Sequence, residues 1–176
     1  FLARPGEVSA IVGPNGSGKT TLLRALTGEV AAEGRISLNG RDIQLAKPYD
    51  LAAQRGVLPQ ASALAFPFTV IEVVRMGVQA GLRATHPRLA ETALEAVGLA
   101  GYGNRFFQEL SGGEQQRAQL ARVLAQVWEP MLDGTPRWLF LDEPVSSLDI
   151  GQQLGVMQLV RSYADRGGGV VAVMHD

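Results

Sequence analysis

The string Gly13-Pro14-Asn15-Gly16-Ser17-Gly18-Lys19-Thr20 constrains this chain more than any other feature. A short apolar segment, Glu7 to Val12, precedes it, and Leu22, Leu23 and Leu26 follow at helical spacing. Strand, glycine-rich loop and helix in that order form a cradle for phosphates. A triphosphate clusters negative charge, and glycines let backbone N–H groups turn inward with no Cβ in the way. The helix that follows points its positive end at the same anion. Lys19 supplies a mobile charge for the β- and γ-phosphates, and Thr20 a hydroxyl for Mg²⁺, a hard cation that prefers oxygen. Thr21 joins the nucleotide-binding set. The plain alternative is a glycine-rich turn without a ligand, and the strand–loop–helix context weighs against it.

A second constellation fits the first. Trp138 to Leu141 is a continuous apolar run ending in Asp142-Glu143, and Val170 to Met174 is another, ending at His175. Runs without alternation suit strands buried on both faces of a parallel sheet covered by helices. Ligands of such sheets sit beyond the carboxyl ends of the strands. Asp142 there fits the acid that holds Mg²⁺, usually through water, and Glu143 a general base that polarises the attacking water. A solvated strand end is the alternative.

The rest of the pattern is mixed. Ile36 and Leu38 alternate with polar residues before Asn39-Gly40 and Ile43, a hairpin signal, because both turn positions need positive φ. Val57 to Gln60 ends another short apolar segment. From Phe68 to about Val127 the pattern is helical: Leu89, Ala93, Ala96 and Val97 share a face after Pro87, Gly98, Gly101 and Gly103 interrupt, and a second helix begins near Ser111 with Leu120, Val123, Leu124 and Val127 on one side. Glu129 to Pro136 reads as a loop. His86, beside Pro87, reads as a surface turn residue.

These elements predict an α/β fold: a mostly parallel sheet around the phosphate loop, a small antiparallel β part, and a helical lobe over about 67–127, all within one domain spanning 1–176. A hydrophobic fraction of 46% in 176 residues suffices for a core. A net charge of -1 gives no basic field for nucleic acid or anionic lipid, and the absence of cysteine excludes a disulfide scaffold and a thiolate metal site. No apolar run approaches the roughly 20 residues of a membrane helix. Phe1 to Glu7 lacks a signal-peptide pattern, so a membrane role would come through a partner. The chain opens one short segment before the phosphate loop and stops after an apolar run, and so reads as cut at both ends.

Leu110-Ser111-Gly112-Gly113-Glu114-Gln115-Gln116-Arg117 is the third constellation. Ser111 and Glu114 form a capping box, while two glycines leave the helix N-terminus bare for another anion. The phosphate loop, this segment, and the apolar run with Asp-Glu-Pro, in that order, resemble the ABC (ATP-binding cassette) ATPases over nearly the whole chain. The resemblance implies Mg²⁺-dependent ATP hydrolysis. It assigns Gln60 to the position that senses Mg²⁺ and the water and couples the site to a transmembrane partner. Ser146-Ser147-Leu148-Asp149 resembles the segment that crosses the dimer interface, and also reads as an N-cap turn before the next helix. His175 matches the histidine that contacts the γ-phosphate. In this family two cassettes pair head to tail, so that Ser111, Gly112 and Gly113 of one copy would close on the nucleotide held by Gly13 to Thr20 of the other. Closure on ATP and opening after hydrolysis can drive a membrane protein between inward- and outward-facing states.

The segment between Gln60 and Leu110 suits a transporter cassette, since it shows neither the heptads nor the cysteines of coiled-coil or zinc insertions. Leu58-Pro59-Gln60, Leu64 to Val70, and Arg122 to Trp128 followed by Pro136-Arg137-Trp138 are similar to the ATPases of haem (hemin) importers within the iron-chelate and cobalamin group. That resemblance implies integral permease subunits, a periplasmic or extracellular binding protein reached through them, and a peripheral place on the cytoplasmic face of the inner membrane, with no direct nucleic-acid contact. The alternatives are a cobalamin or siderophore importer, or a soluble ABC ATPase acting on nucleic acid or ribosomes. The family's adenine-stacking aromatic lies on an earlier strand, and only Phe1 lies upstream here.

Overall fold

Four apolar segments become the strands of one parallel sheet. The computed structural model describes residues 1–60, 64, 66–81 and 86–174. β1 (Val8–Ile11) runs into the glycine loop and α1 (Lys19–Leu26). A hairpin of β2 (Ser37–Leu38) and β3 (Arg41–Asp42) follows, then α2 (Pro48–Gln54) and β4 (Arg55–Leu58). α3 (Val70–Ala80), α4 (Leu89–Ala96) and α5 (Gly112–Gln126) fall within the expected helical lobe. A second hairpin, β5 (Met131–Leu132) and β6 (Thr135–Pro136), leads to β7 (Trp138–Asp142), α6 (Ile150–Asp165) and β8 (Gly169–Val173). The main sheet has the order β1-β8-β7-β4 with every pair parallel.

Every residue of β7 and β8 is buried, as their unbroken apolar sequences require. Alternate side chains serve two cores. Leu139, Leu141, Val170 and Ala172 join a large core with α3, α4, α5 and α6, while Trp138, Phe140, Val171 and Val173 join Leu23, Leu38 and Ile43 on the other face. Burying each large aliphatic side chain contributes about 1.5–3 kcal/mol. Close approach of α3 to α5 depends on Gly77, where an added Cβ would lie 1.9 Å from the Arg122 carbonyl oxygen.

The register positions the site. Ile11 and Asp142 both pair with Val173, and Leu58 pairs with Leu141. The glycine loop, Asp142-Glu143 and Gln60 therefore leave the sheet at the same edge.

The expected hairpin at Asn39-Gly40 is present, with φ of 50° and 77° and Leu38 paired with Arg41. The loop expected over 129–136 is instead a second hairpin: Asp133-Gly134, at φ 49° and 76°, makes the same turn between strands too short to show alternation. On α4 the expected face is partly wrong. Leu89, Ala93 and Val97 are buried, but Ala96 is exposed and Ala90 and Leu94 are buried instead. α2 carries no strong periodicity in the sequence, and Pro48 at its first turn is its clearest signal.

Candidate nucleotide site

The loop between β1 and α1 is shaped by glycine. Gly16 and Gly18 have φ of 79° and 89°, left-handed values that a side chain would strain, and Gly18 is the N-cap of α1 without a side chain of its own. Backbone N–H groups at the start of α1 are thus left for an anion. Pro14, Asn15, Gly16, Ser17 and Gly18 are exposed, Gly13 is half-buried, and Thr21, the third residue of α1, is exposed. Lys19 is buried along its stem, and its Nζ donates to the carbonyl oxygens of Gly13 at 2.5 Å and Pro14 at 3.1 Å. The ammonium group is held over the loop that a phosphate would fill.

Thr20 meets the end of β7. Its Oγ1 donates to Asp142 Oδ1 at 3.2 Å. Asp142 is only 3% exposed, and burial pushes its carboxyl above the usual range, against the opposing hydrogen bond from Thr20. A buried carboxyl beside a hydroxyl offers oxygen donors of the kind that suit Mg²⁺. Among the described residues no three His, Cys, Asp or Glu side chains cluster for a metal. A mixed hydroxyl–carboxylate pair fits Mg²⁺ completed by phosphate oxygens and water.

Glu143 follows at once with φ 51°, a left-handed value rare for a side-chain-bearing residue. Its N–H donates to Val173 at 3.1 Å, and Gln60 Nε2 donates to its Oε2 at 2.9 Å. Gln60 thereby reaches across the edge of the sheet from the end of β4 to the candidate base. The structure brings together the loop 13–20, Thr20 with Asp142, and Gln60 with Glu143.

Ser111, Gly112, Gly113 and Asp149 belong to a different surface. Ser111 caps α5: its N–H and Oγ donate to Glu114 Oε2, both at 2.8 Å, and Oγ accepts from the Glu114 N–H at 3.4 Å. A Cβ on Gly112 would meet nothing within 4 Å, whereas one on Gly113 would lie 2.8 Å from the Ser147 carbonyl oxygen. Asp149 caps α6 by accepting from the Gln152 N–H at 2.9 Å. His86 is exposed in the turn before α4, and its carbonyl accepts from the Leu89 N–H. Phe1 is 71% exposed. His175 lies outside the described residues.

Sequence reasoning missed Gln116. Its Nε2 donates to the Glu143 carbonyl at 2.7 Å and its Oε1 accepts from the Ser147 N–H at 3.2 Å. The available signal was spacing: Gly113 and Gln116, three apart, share the face of α5 that meets the 143–148 turn.

Comparison with known proteins places the fold in a family. The family model described as ABC transporter matches residues 1–146. The chain is 65% identical over 176 residues to the hemin import ATP-binding protein HmuV of Roseobacter denitrificans, covering all of this chain and 67% of that protein. It is 66% identical to the protein of the same name from a Ruegeria species, covering all of this chain and 68% of the relative. The chain thus spans about two thirds of the length of these curated relatives. Among solved structures, the ATP-binding cassette MJ0796, dimeric in a post-hydrolysis state with ADP and Pi, superposes with a TM-score of 0.84 at 27% identity, covering 100% of this chain and 78% of that one. A bacterial Atm1-family ABC exporter with ATP bound gives a TM-score of 0.81 at 28% identity, covering all of this chain and 30% of the exporter.

Proposed function

This chain belongs to the ABC transporter family, and from that premise we propose that it is the ATP-binding and ATP-hydrolysing subunit of a membrane importer for haem or a related iron chelate. The observation that carries the hydrolytic reading is the convergence of Lys19, the Thr20–Asp142 pair and the Gln60–Glu143 pair at one edge of the sheet. The cargo reading rests on the likeness to hemin import proteins. The cassette itself does not touch the cargo.

The loop amides from Gly13 to Thr20 and the Lys19 ammonium bind the phosphates, with Lys19 leaving the Gly13 and Pro14 carbonyls to do so. Thr21 extends the nucleotide contacts. Thr20, Asp142 and Gln60 would hold Mg²⁺, which when bound would supply positive charge against that of the phosphate oxygens. Glu143 orients a water for in-line attack on the γ-phosphorus and takes its proton as the bond to the ADP oxygen breaks. Gln60 keeps the Glu143 carboxylate aimed. His175 supports the γ-phosphate. The machinery occupies one ABC ATPase domain, 1–176, with a helical subdomain over about 67–127.

Ser111, Gly112, Gly113 and Asp149 act on the nucleotide of a second copy in a head-to-tail dimer, so a lone chain binds ATP and hydrolyses it poorly. Among the described residues no helix is long and apolar enough to cross a membrane. The proposed reading passes force to permease subunits. A substrate-binding protein delivers cargo to them from outside, and the cassette docks at the cytoplasmic face of the inner membrane.

The test is co-purification of the full-length protein with its permease, then ATPase activity in lipid with and without haem-loaded binding protein. Stimulation by the haem-loaded form supports importer and cargo together. A permease without haem stimulation keeps the importer and removes the cargo, and cobalamin- or siderophore-loaded proteins are tried next. Failure to recover any membrane partner removes the importer reading.

A further inference from the structure

Glu143 has an unusual backbone for its task. A glutamate at φ 51° is in a sparsely populated conformation that costs on the order of 1–3 kcal/mol and persists only where the surroundings over-determine it. Three kinds of contact do so. The Glu143 N–H is tied to β8 through the Val173 carbonyl, its side chain to Gln60, and its carbonyl accepts from Gln116 Nε2 at 2.7 Å and Ser146 Oγ at 3.2 Å. Ser146 belongs to the same turn. Gln116 comes from α5, five residues after the Ser111 N-cap.

The Gln116 amide uses both ends on this turn. Its Nε2 donates to the Glu143 carbonyl, and its Oε1 accepts from the Ser147 N–H at 3.2 Å. The side chain thus bridges residues 143 and 147 as an extra peptide group would. One turn toward the N-terminus, Gly113 packs so closely on the Ser147 carbonyl that a Cβ would lie 2.8 Å from it. The start of α5 and the turn 143–147 are therefore clasped at two points. Gln116 therefore links the helix that carries the Ser111–Gly113 tip to the Glu143 backbone.

We propose that Gln116 is a positioning residue for hydrolysis: its bidentate amide holds the left-handed turn that aims Glu143 and reports the placement of the Ser111–Gly113 tip to that base. This rests on the reading of Glu143 as the base. Only glutamine supplies a donor and an acceptor at this reach. Glutamate keeps the length but loses the donor, and leucine loses both.

The experiment measures kcat and KM for ATP in the full-length protein assembled with its permease, for wild type, Gln116→Glu, Gln116→Leu and Glu143→Gln, with Tm recorded for each. Small misplacement of a reacting group costs up to about a hundredfold. Gln116→Glu and Gln116→Leu should each lower kcat about tenfold to a hundredfold, with KM little changed and the proteins folded. Gln116→Glu is the more telling variant, because it is isosteric and fills the same space. A kcat within about twofold of wild type in Gln116→Glu overturns the proposal, whatever happens to Tm. So does a rise in KM without a fall in kcat, which would place Gln116 in nucleotide binding. If Glu143→Gln is inactive while Gln116→Glu is fully active, the positioning role alone falls. If Glu143→Gln turns over normally, the base assignment falls and the proposal with it.

Discussion

The Thr20–Asp142 bond joins residues 122 apart in the chain and the Gln60–Glu143 bond residues 83 apart, whereas the Ser111–Glu114 bonds that shape the Ser111–Gly113 tip span three residues. The first region exists only when the sheet is assembled, and its carboxylates are buried. The second is a local helix cap on an exposed surface, with Gly112 facing open space. One half of the site is completed within this chain and cannot move without disturbing the core. The other half is presented outward. The contrast teaches how such a chain divides its work on the proposed reading: chemistry is fixed by long-range packing, and the contact offered to a second copy is shaped by a local cap, with Gly113 and Gln116 behind it packed on the 143–147 turn.

Changes to the assembled half should act on chemistry and binding. Glu143→Gln in the full-length protein should lower turnover by about 10²–10⁴-fold, keep ATP binding and trap an ATP-bound dimer visible by size-exclusion chromatography. Normal turnover would remove Glu143 from the role of base and break the contrast at its centre. Lys19→Ala should weaken ATP binding itself. Charge-assisted hydrogen bonds are worth about 1.5–3 kcal/mol each, or roughly tenfold to more than a hundredfold in Kd by titration. Unchanged affinity would count against the phosphate role.

The adjacent glycines of the tip sharpen the comparison, because one faces the chain and one does not. Gly113→Ala drives a Cβ onto the Ser147 carbonyl, a backbone atom that cannot yield, and should destabilise the fold by about 1–3 kcal/mol. Gly112→Ala meets open space and should leave Tm unchanged or raise it, since alanine favours a helix over glycine by about 1 kcal/mol. It should nonetheless reduce ATP-driven dimerisation. Gly112→Ala with normal dimerisation would mean that the open face of the tip receives nothing.

Legibility followed the same division. The glycine loop, the Asn39-Gly40 hairpin and the Ser111 capping box could be read because each is written in consecutive residues whose conformations have few alternatives. The Asp133-Gly134 hairpin carries the same kind of signal, but its two-residue strands offer no alternation to frame it. The α4 face went partly astray because alanine fits either side of a helix, so Ala96 and Ala90 could not be told apart without the packing partner. Sheet order and register, which bring Gln60 to Glu143, depend on pairings between segments far apart and have no local mark. Gln116 lay inside a recognised motif, yet its task became visible only when the 143–147 turn was folded against α5.

The smallest expected effect concerns the strain that the assembled half carries. Burial raises the Asp142 carboxyl above its ordinary value of 3.8, so folding without metal is opposed by the charge it buries. The sign follows from linkage: a carboxyl raised in the folded state favours folding below its unfolded pKa, and that advantage is lost as pH rises through the folded value. Ionised Asp142 is therefore a liability at neutral pH that a bound cation would offset. Asp142→Asn keeps an oxygen to accept from Thr20 and removes the charge. In chelator at pH 7 it should raise Tm modestly, and the gain should shrink as pH falls and the wild-type carboxyl takes up its proton in the folded state. With Mg²⁺ and ATP the order should reverse, because the wild type alone gains the stability of a properly held cation. A Tm for Asp142→Asn that is lower than wild type in chelator at pH 7 would mean that the Asp142 carboxylate already stabilises the empty site, and that the assembled half carries no electrostatic strain for its ligand to relieve.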